Sequence, residues 1–207
     1  MYILARTREI HPAHARDGVA AAVEAGARAS TITGLQVFVW STMFSAPVGT
    51  VVWSCRVDQL DDLITAQDAL FASDEFDKFI RDRDELFVGS LADTVSQVIH
   101  GAPTEGPGAF IQTVAAVCAN GSLSEGMHTA IELADAAKRV TGRSTMVVTP
   151  VAGTYGAMGW ITSFDDLASM QAANDKLTAD ADWLKLVDRA GHVYAPGTQA
   201  TILRRIS

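Results

Sequence analysis

The sequence predicts an α+β chain of two tandem ferredoxin-like repeats, each running β-α-β-β-α-β, that together form one barrel. Three observations predict it. Gly49–Ile99 matches Gly156–Ile206 at a shift of 107 without a gap, with eleven identities over 51 positions, where chance at average composition gives about three. Apolar character is kept where identity is not: Val57 meets Phe164, Phe76 meets Trp183, Phe87 meets Tyr194. A stretch rich in glycine and proline, GAPTEGPG at 101–108, separates the copies and reads as a linker. The expected domains are therefore 1–100, a linker at 101–108, and 109–207. Two long copies are too few for a solenoid, and the element order of each is that of the ferredoxin-like motif.

Each element has a local reason. Tyr2–Glu9 alternates and reads as a strand. Ala13–Ser30 is alanine-rich with Val19 and Val23 on one face, which predicts a helix; Pro12 suits its first turn and Gly34 its stop. Leu35–Met43 and Thr50–Val57 are apolar and β-branched and predict a hairpin around Pro47 and Gly49. Asp58 is the expected N-cap of the next helix, with Asp61 and Asp62 in its first turn. Leu60, Leu63, Ile64, Leu70 and Phe71 have helical spacing, and Ser73 before Asp74-Glu75 predicts a second cap that breaks the helix. Leu91–Ile99 closes the unit. In the second copy, Ser122 and Glu125 have capping-box spacing. Strands are expected over Thr145–Val151 and Ala157–Phe164, a cap at Asp165, and a closing strand over Thr198–Ile206. A lone copy leaves one sheet face apolar, which two copies cover by placing sheet against sheet.

The net charge of −8 and the absence of a basic run longer than Arg204-Arg205 argue against nucleic acid or an anionic membrane surface as partner. No apolar run reaches the length of a membrane span, and MYILARTREI does not read as a secretion signal. Cys55 and Cys118 lie inside expected strands and read as buried, reduced thiols, so a cytoplasmic protein is expected.

The order of elements, and Val51–Phe79 with its strand Trp53, acidic turn, Leu60, Leu63 and SDEFDKF, resemble the dimeric α+β barrel superfamily in fused form. The segment is similar to antibiotic-biosynthesis-type monooxygenases; NIPSNAP-like proteins share the tandem form, as do, more distantly, chlorite dismutase-like haem proteins. The resemblance implies an apolar small-molecule site between sheet and helices. It also implies a cofactor-independent oxygenation or isomerisation of an aromatic or polyketide-like compound, or else a non-catalytic barrel for assembly or carriage. Where monooxygenase-like members often have histidines, this chain has Gln67, Asp68, Asp74 and Glu75, and Asn174, Asp175, Ala181 and Asp182 in the second copy. The haem-handling Asn, Trp and His set is not assembled, so no cofactor is expected.

Candidate residues follow from residue type and from differences between copies. Trp53 and Trp160 are matched, which favours a core role over a pocket wall, since a duplicated core is needed more often than a duplicated site. Arg6 and Arg8 share a side of the first strand with Tyr2 and Leu4, where the second copy has Val114 and Ala116. Such arginines need a partner: an acidic ligand, Asp93 across the sheet, or solvent. Glu9, His11 and His14 lack the helical His-Glu-x-x-His pattern, and the second copy has Val117, Ala119 and Ser122 there, so no metal site is expected. His192 matches Glu85 and has no evident base partner; His100 and His128 have none either. Gly153, Gly156 and Gly159 lie in a hairpin and are not a dinucleotide fingerprint. The expected ligand-lining residues are Arg6, Trp40, Trp53 and Trp160, with no catalytic residue assigned. The expected partners are an apolar small molecule and, through apolar helix faces and open sheet edges, further copies of the chain.

Overall fold

The computed structural model describes residues 1–44, 47, 49–102 and 106–207. Eight strands and six α-helices follow in the order β1 (Tyr2–Ile10), α1 (Ala15–Thr33), β2 (Phe38–Met43), β3 (Thr50–Val57), α2 (Leu60–Phe71), α3 (Asp74–Arg81), β4 (Phe87–His100), then β5 (Phe110–Val117), α4 (Leu123–Thr141), β6 (Thr145–Ala152), β7 (Ala157–Phe164), α5 (Leu167–Ala179), α6 (Ala181–Ala190) and β8 (Gln199–Arg205). The strand order is β1-β3-β2-β8-β5-β7-β6-β4 in a closed barrel. By contact, the chain divides into Met1–Val95 with Arg204–Ser207, and Ser96–Leu203. The division falls inside β4 and β8, so the closing strands do not respect the repeat boundary at 101–108. Residues 103–105 of that expected linker, and 45, 46 and 48 of the expected first hairpin, lie outside the described residues.

In the first unit, β3 pairs antiparallel with β1 and β2; Arg6 stands opposite Trp53 and Val39 stands opposite Trp53 on the other edge. Directly opposed residues share a sheet face. Helix α1 lies on this face through a stripe of small residues. A Cβ on Gly18 would sit 2.2 Å from Ile10 Cγ2, and one on Gly26 2.4 Å from Val39 Cγ2. Ala22 between them is fully buried with Ile10, Val39 and Val51. The helix ends where Gly34, at φ 71°, takes the left-handed conformation and donates its N–H to Ser30 O.

The second unit repeats the device with more filling. β7 pairs with β5 and β6, and α4 packs through Gly126, Ala130 and Ala134, ending on Gly142 at φ 78°. Its core joins Ala130, Leu133, Val147, Met158, Trp160, Leu186, Val193 and Tyr194. A second cluster joins Phe164, Met170 and Ala173 under α5. The helix after the hairpin differs most: α5 buries Met170 and Ala173, whereas no residue of α2 is buried.

Several caps differ from expectation. Helix α2 is capped at Gln59, not Asp58, because Asp62 Oδ2 accepts the Gln59 backbone N–H at 3.2 Å. Asp166, not Asp165, caps α5 and accepts Ser169 N–H at 2.6 Å. Ser122 makes no side-chain cap bond, since its backbone is not extended (ψ 17°). Pro12 opens a short 3-10 turn, and α1 begins at Ala15. Ser73 caps α3 as expected, accepting Phe76 N–H at 3.2 Å.

Candidate functional site

Opposite each other on β1 and β3, Arg6 and Trp53 face the helix layer of the first unit. Trp53 donates its indole N–H to Ala22 O of α1 at 2.8 Å and lies 6.2 Å from the Phe87 ring. Arg6 donates two parallel hydrogen bonds of 2.7 Å to Asp93 on β4, the strand partner that the sequence offers it. This fork holds the guanidinium in its charged form more firmly than usual, against the cost of its burial. The pair stays open to water, with side-chain exposures of 35% and 43%. Cys55, one side-chain repeat along β3 from Trp53, is buried; burial pushes its thiol pKa up, and Arg6 pulls it partly back. Arg8, on the same face, lies 5.0 Å over the Phe87 ring and donates to Asp84 Oδ1 at 2.7 Å. Its Nε is buried without a hydrogen-bond partner among the described residues.

Trp160 is the counterpart of Trp53 in the second unit. It donates to Ala130 O of α4 at 2.9 Å and meets Tyr194 edge-on at 5.5 Å. Tyr194 in turn donates to Gly126 O at 2.6 Å. Each matched tryptophan therefore ties the first helix of its repeat to its sheet. Trp40 points the other way: it pairs opposite Val52, on the sheet face turned from the helices, and donates to Ser54 Oγ at 2.9 Å. Of the four expected lining residues, the structure brings Arg6 and Trp53 together. Trp40 lies on the opposite face of the same sheet, and Trp160 in the second unit.

Where the first layer has Arg6, Arg8, Cys55 and Asp93, the second has Val114, Ala116, Thr162 and Ala200. Asp93 as a partner of Arg6 was readable from the sequence; Cys55 as its neighbour required the β1–β3 register.

The histidines are placed without a metal arrangement. His11 Nδ1 accepts Ala13 N–H at 3.2 Å, and its ring lies 5.2 Å from that of His14. No group of three or more potential ligands occurs among the described residues. His100 contacts Asp135 at 2.9 Å. His128 lines an open groove of about 530 Å³ between α4 and α6, with Glu132, Asp135, Arg139, Lys185 and Arg189. Among the described residues no helix is long and apolar enough to cross a membrane.

No protein-family model and no curated protein matches the chain. Solved structures do. A proposed monooxygenase of Fusobacterium nucleatum has a TM-score of 0.69 at 8% identity, over 100% of this chain and 92% of that one. An anthrone oxidase-like protein has 0.66 at 12%, over 100% and 91%. The chlorite dismutase of Candidatus Nitrospira defluvii has 0.54 at 9%, over 98% and 90%. At these identities the likeness is one of fold.

Proposed function

We propose, starting from the dimeric α+β barrel fold of its structural neighbours, that the chain binds an apolar aromatic or polyketide-like molecule in the helix–sheet layer of the first repeat. We propose further that it performs a cofactor-independent oxygenation or isomerisation there. One observation carries the reading. The two repeats share their tryptophan, their helix stripe and their caps, yet the first sets an arginine–aspartate fork where the second has Val114 and Ala200. The Arg6–Asp93 fork and Cys55 stand beside Trp53, and the adjacent α2 buries none of its residues. A few convergent polar groups beside an aromatic ring are the polar part of a usual small-molecule site.

Arg6 and Trp53 carry this proposal. Trp160 belongs to the corresponding layer of the second repeat, and Trp40 to the other face. On an anthrone-type compound the reaction would be the loss of a proton from the activated methylene, followed by electron transfer from the resulting carbanion to dioxygen. The methylene becomes a carbonyl, one oxygen atom is incorporated, and the other leaves as water. Arg6 would stabilise the enolate oxygen in that step. The test is oxygen uptake and quinone absorbance with anthrone, for the native chain and Arg6→Ala. Uptake that the substitution abolishes supports the reading; no uptake by the native chain, or uptake unchanged by R6A, refutes it.

A second reading has its own observation. Leu60, Ile64 and Phe71 are 38%, 59% and 75% exposed on one side of α2. This favours a non-catalytic protein that assembles with further copies of itself. A native mass above 22.0 kDa that falls to the monomer in Ile64→Glu, without turnover of any kind in the native chain, would select it.

A further inference from the structure

The face of the first sheet turned from its helices carries a cation whose side chain has no partner among the described residues. On β3, Trp53 and Val51 pack toward α1, so alternation puts Ser54 and Arg56 on the opposite face. Phe38 pairs opposite Ser54, and Trp40 opposite Val52, so both rings lie on that face too. Their centroids are 6.2 Å apart and tilted by 45°. Trp40 is 1% exposed and donates to Ser54 Oγ. The Ser54 hydroxyl proton has no acceptor among the described residues. Arg56 is half-buried, and its side chain makes no hydrogen bond, ion pair or ring contact among the described residues. Arg6, Arg8, Arg28, Arg81 and Arg83 of the same unit each have a carboxylate within 4.0 Å, and Arg16, for which no ion pair is found among the described residues, is exposed.

We propose that this face binds a small aromatic carboxylate, the carboxylate taken by Arg56 with Ser54 as a second donor, and the ring held against the half-buried Phe38, which the buried Trp40 backs. A guanidinium taken partly out of water without an anion is unfavourable, and burial alone lowers the Arg56 pKa, with no acid opposing it. An arginine fork matches a carboxylate bidentately, and a part-exposed ring such as Phe38 packs favourably with another aromatic at centroid distances of about 4.5–7 Å. The fold does not require this set. In the second repeat the same positions hold Met146, Val148, Ile161 and Ser163, and Ser163 Oγ is used structurally, accepting Gly108 N–H at 2.7 Å. The site lies on the opposite sheet face from Arg6 and does not depend on the function proposed for that layer.

The test titrates the full chain with 2-naphthoate and with the neutral 2-naphthylmethanol by calorimetry, while the Arg56 side-chain N–H resonance is followed by NMR. The expected result is saturable binding of naphthoate, about tenfold or more tighter than the alcohol, with the Arg56 resonance moving on saturation. Arg56→Gln should erase the preference for the acid and leave the alcohol's affinity unchanged; the surface control Arg81→Gln should change neither. Because the NMR shift is read in the native chain, the assignment stays testable if R56Q fails to fold. Absence of saturable naphthoate binding, equal affinity for acid and alcohol, an unmoved Arg56 resonance, or loss of binding in Arg6→Gln in place of R56Q would each overturn the proposal.

Discussion

Trp160→Phe should destabilise the chain more than Trp53→Phe, although the two tryptophans are matched and make the same bond. Both donate an indole N–H to a carbonyl in the first helix of their repeat, at 2.9 and 2.8 Å. That carbonyl stays within the helix ladder after the substitution, so it is not orphaned, and the lost bond costs only about 1 kcal/mol net. The difference lies in burial. Trp160 is 9% exposed and enclosed by the largest core cluster; phenylalanine there forfeits about 1 kcal/mol of transfer energy and leaves a cavity that costs about as much again. The expected loss is about 3 kcal/mol. Trp53 is half-buried in a cluster of four buried residues, where the cavity opens toward water, and about 1.5 kcal/mol is expected. Urea unfolding followed by far-ultraviolet circular dichroism reads the difference, and W160F should lower the midpoint by about 1 M or more. A W53F variant as destabilised as W160F, or a W160F loss below about 1 kcal/mol, would refute the assignment of these residues to layers of unequal filling.

Replacing the fork by its second-repeat residues, Arg6→Val with Asp93→Ala, should change stability by no more than about 1 kcal/mol, since the pair is over a third exposed, while abolishing any turnover; thermal unfolding and oxygen uptake check the two halves. Gly126→Ala would place a methyl 2.3 Å from Cys118 Sγ and should cost about 1–3 kcal/mol by parting α4 from β5, read as a lowered unfolding midpoint. Burial raises the pKa of Cys55, Cys118 and Tyr194. A proton held more tightly in the folded state gives stability that is complete below the unfolded pKa and is lost as pH rises through and beyond it. Unfolding free energy should therefore fall from about pH 8.5 upward, and Tyr194→Phe should flatten the decline above about pH 10. A flat alkaline limb in the native chain would contradict this.

The repeat was legible because a duplicated core keeps its apolar positions even as identities drift: Phe79 answers Leu186 and Val57 answers Phe164 in the buried sets of both units. Helix stops were legible for the same local reason, as Gly34 and Gly142 both take positive φ. N-caps were less so, because Asp58, Gln59 and Asp62 compete for the same amides and the choice depends on where the strand releases the chain. Alternation grouped Arg6 with Tyr2 and Leu4, and Trp53 with Cys55, but not the two groups with each other. That needs the β1–β3 register, which pairs Arg6 with Trp53 and which a one-residue slip would reverse.

The same dependence explains why Trp40 and Trp53 part company. Both are tryptophans in one hairpin, and a reading by residue type puts them in one pocket. Their register is offset by one: Trp40 stands opposite Val52, and Val39 opposite Trp53. One indole therefore bonds the helix carbonyl of Ala22 and the other a serine hydroxyl on the far face. The sheet thus presents two chemically different surfaces. Its helix side sets a paired arginine, Arg6, beside a tryptophan committed to the fold. Its other side sets Arg56, without a side-chain partner among the described residues, on the same face as a tryptophan and a serine whose proton has no acceptor among them. A pairing already satisfied by Asp93 must be broken or bridged before Arg6 can hold a ligand's charge, whereas Arg56 has nothing to give up. The physical case for recognition of an anion is therefore stronger on the Arg56 face, and any reaction in the Arg6 layer is better matched to a neutral, apolar substrate whose charge develops only as it reacts.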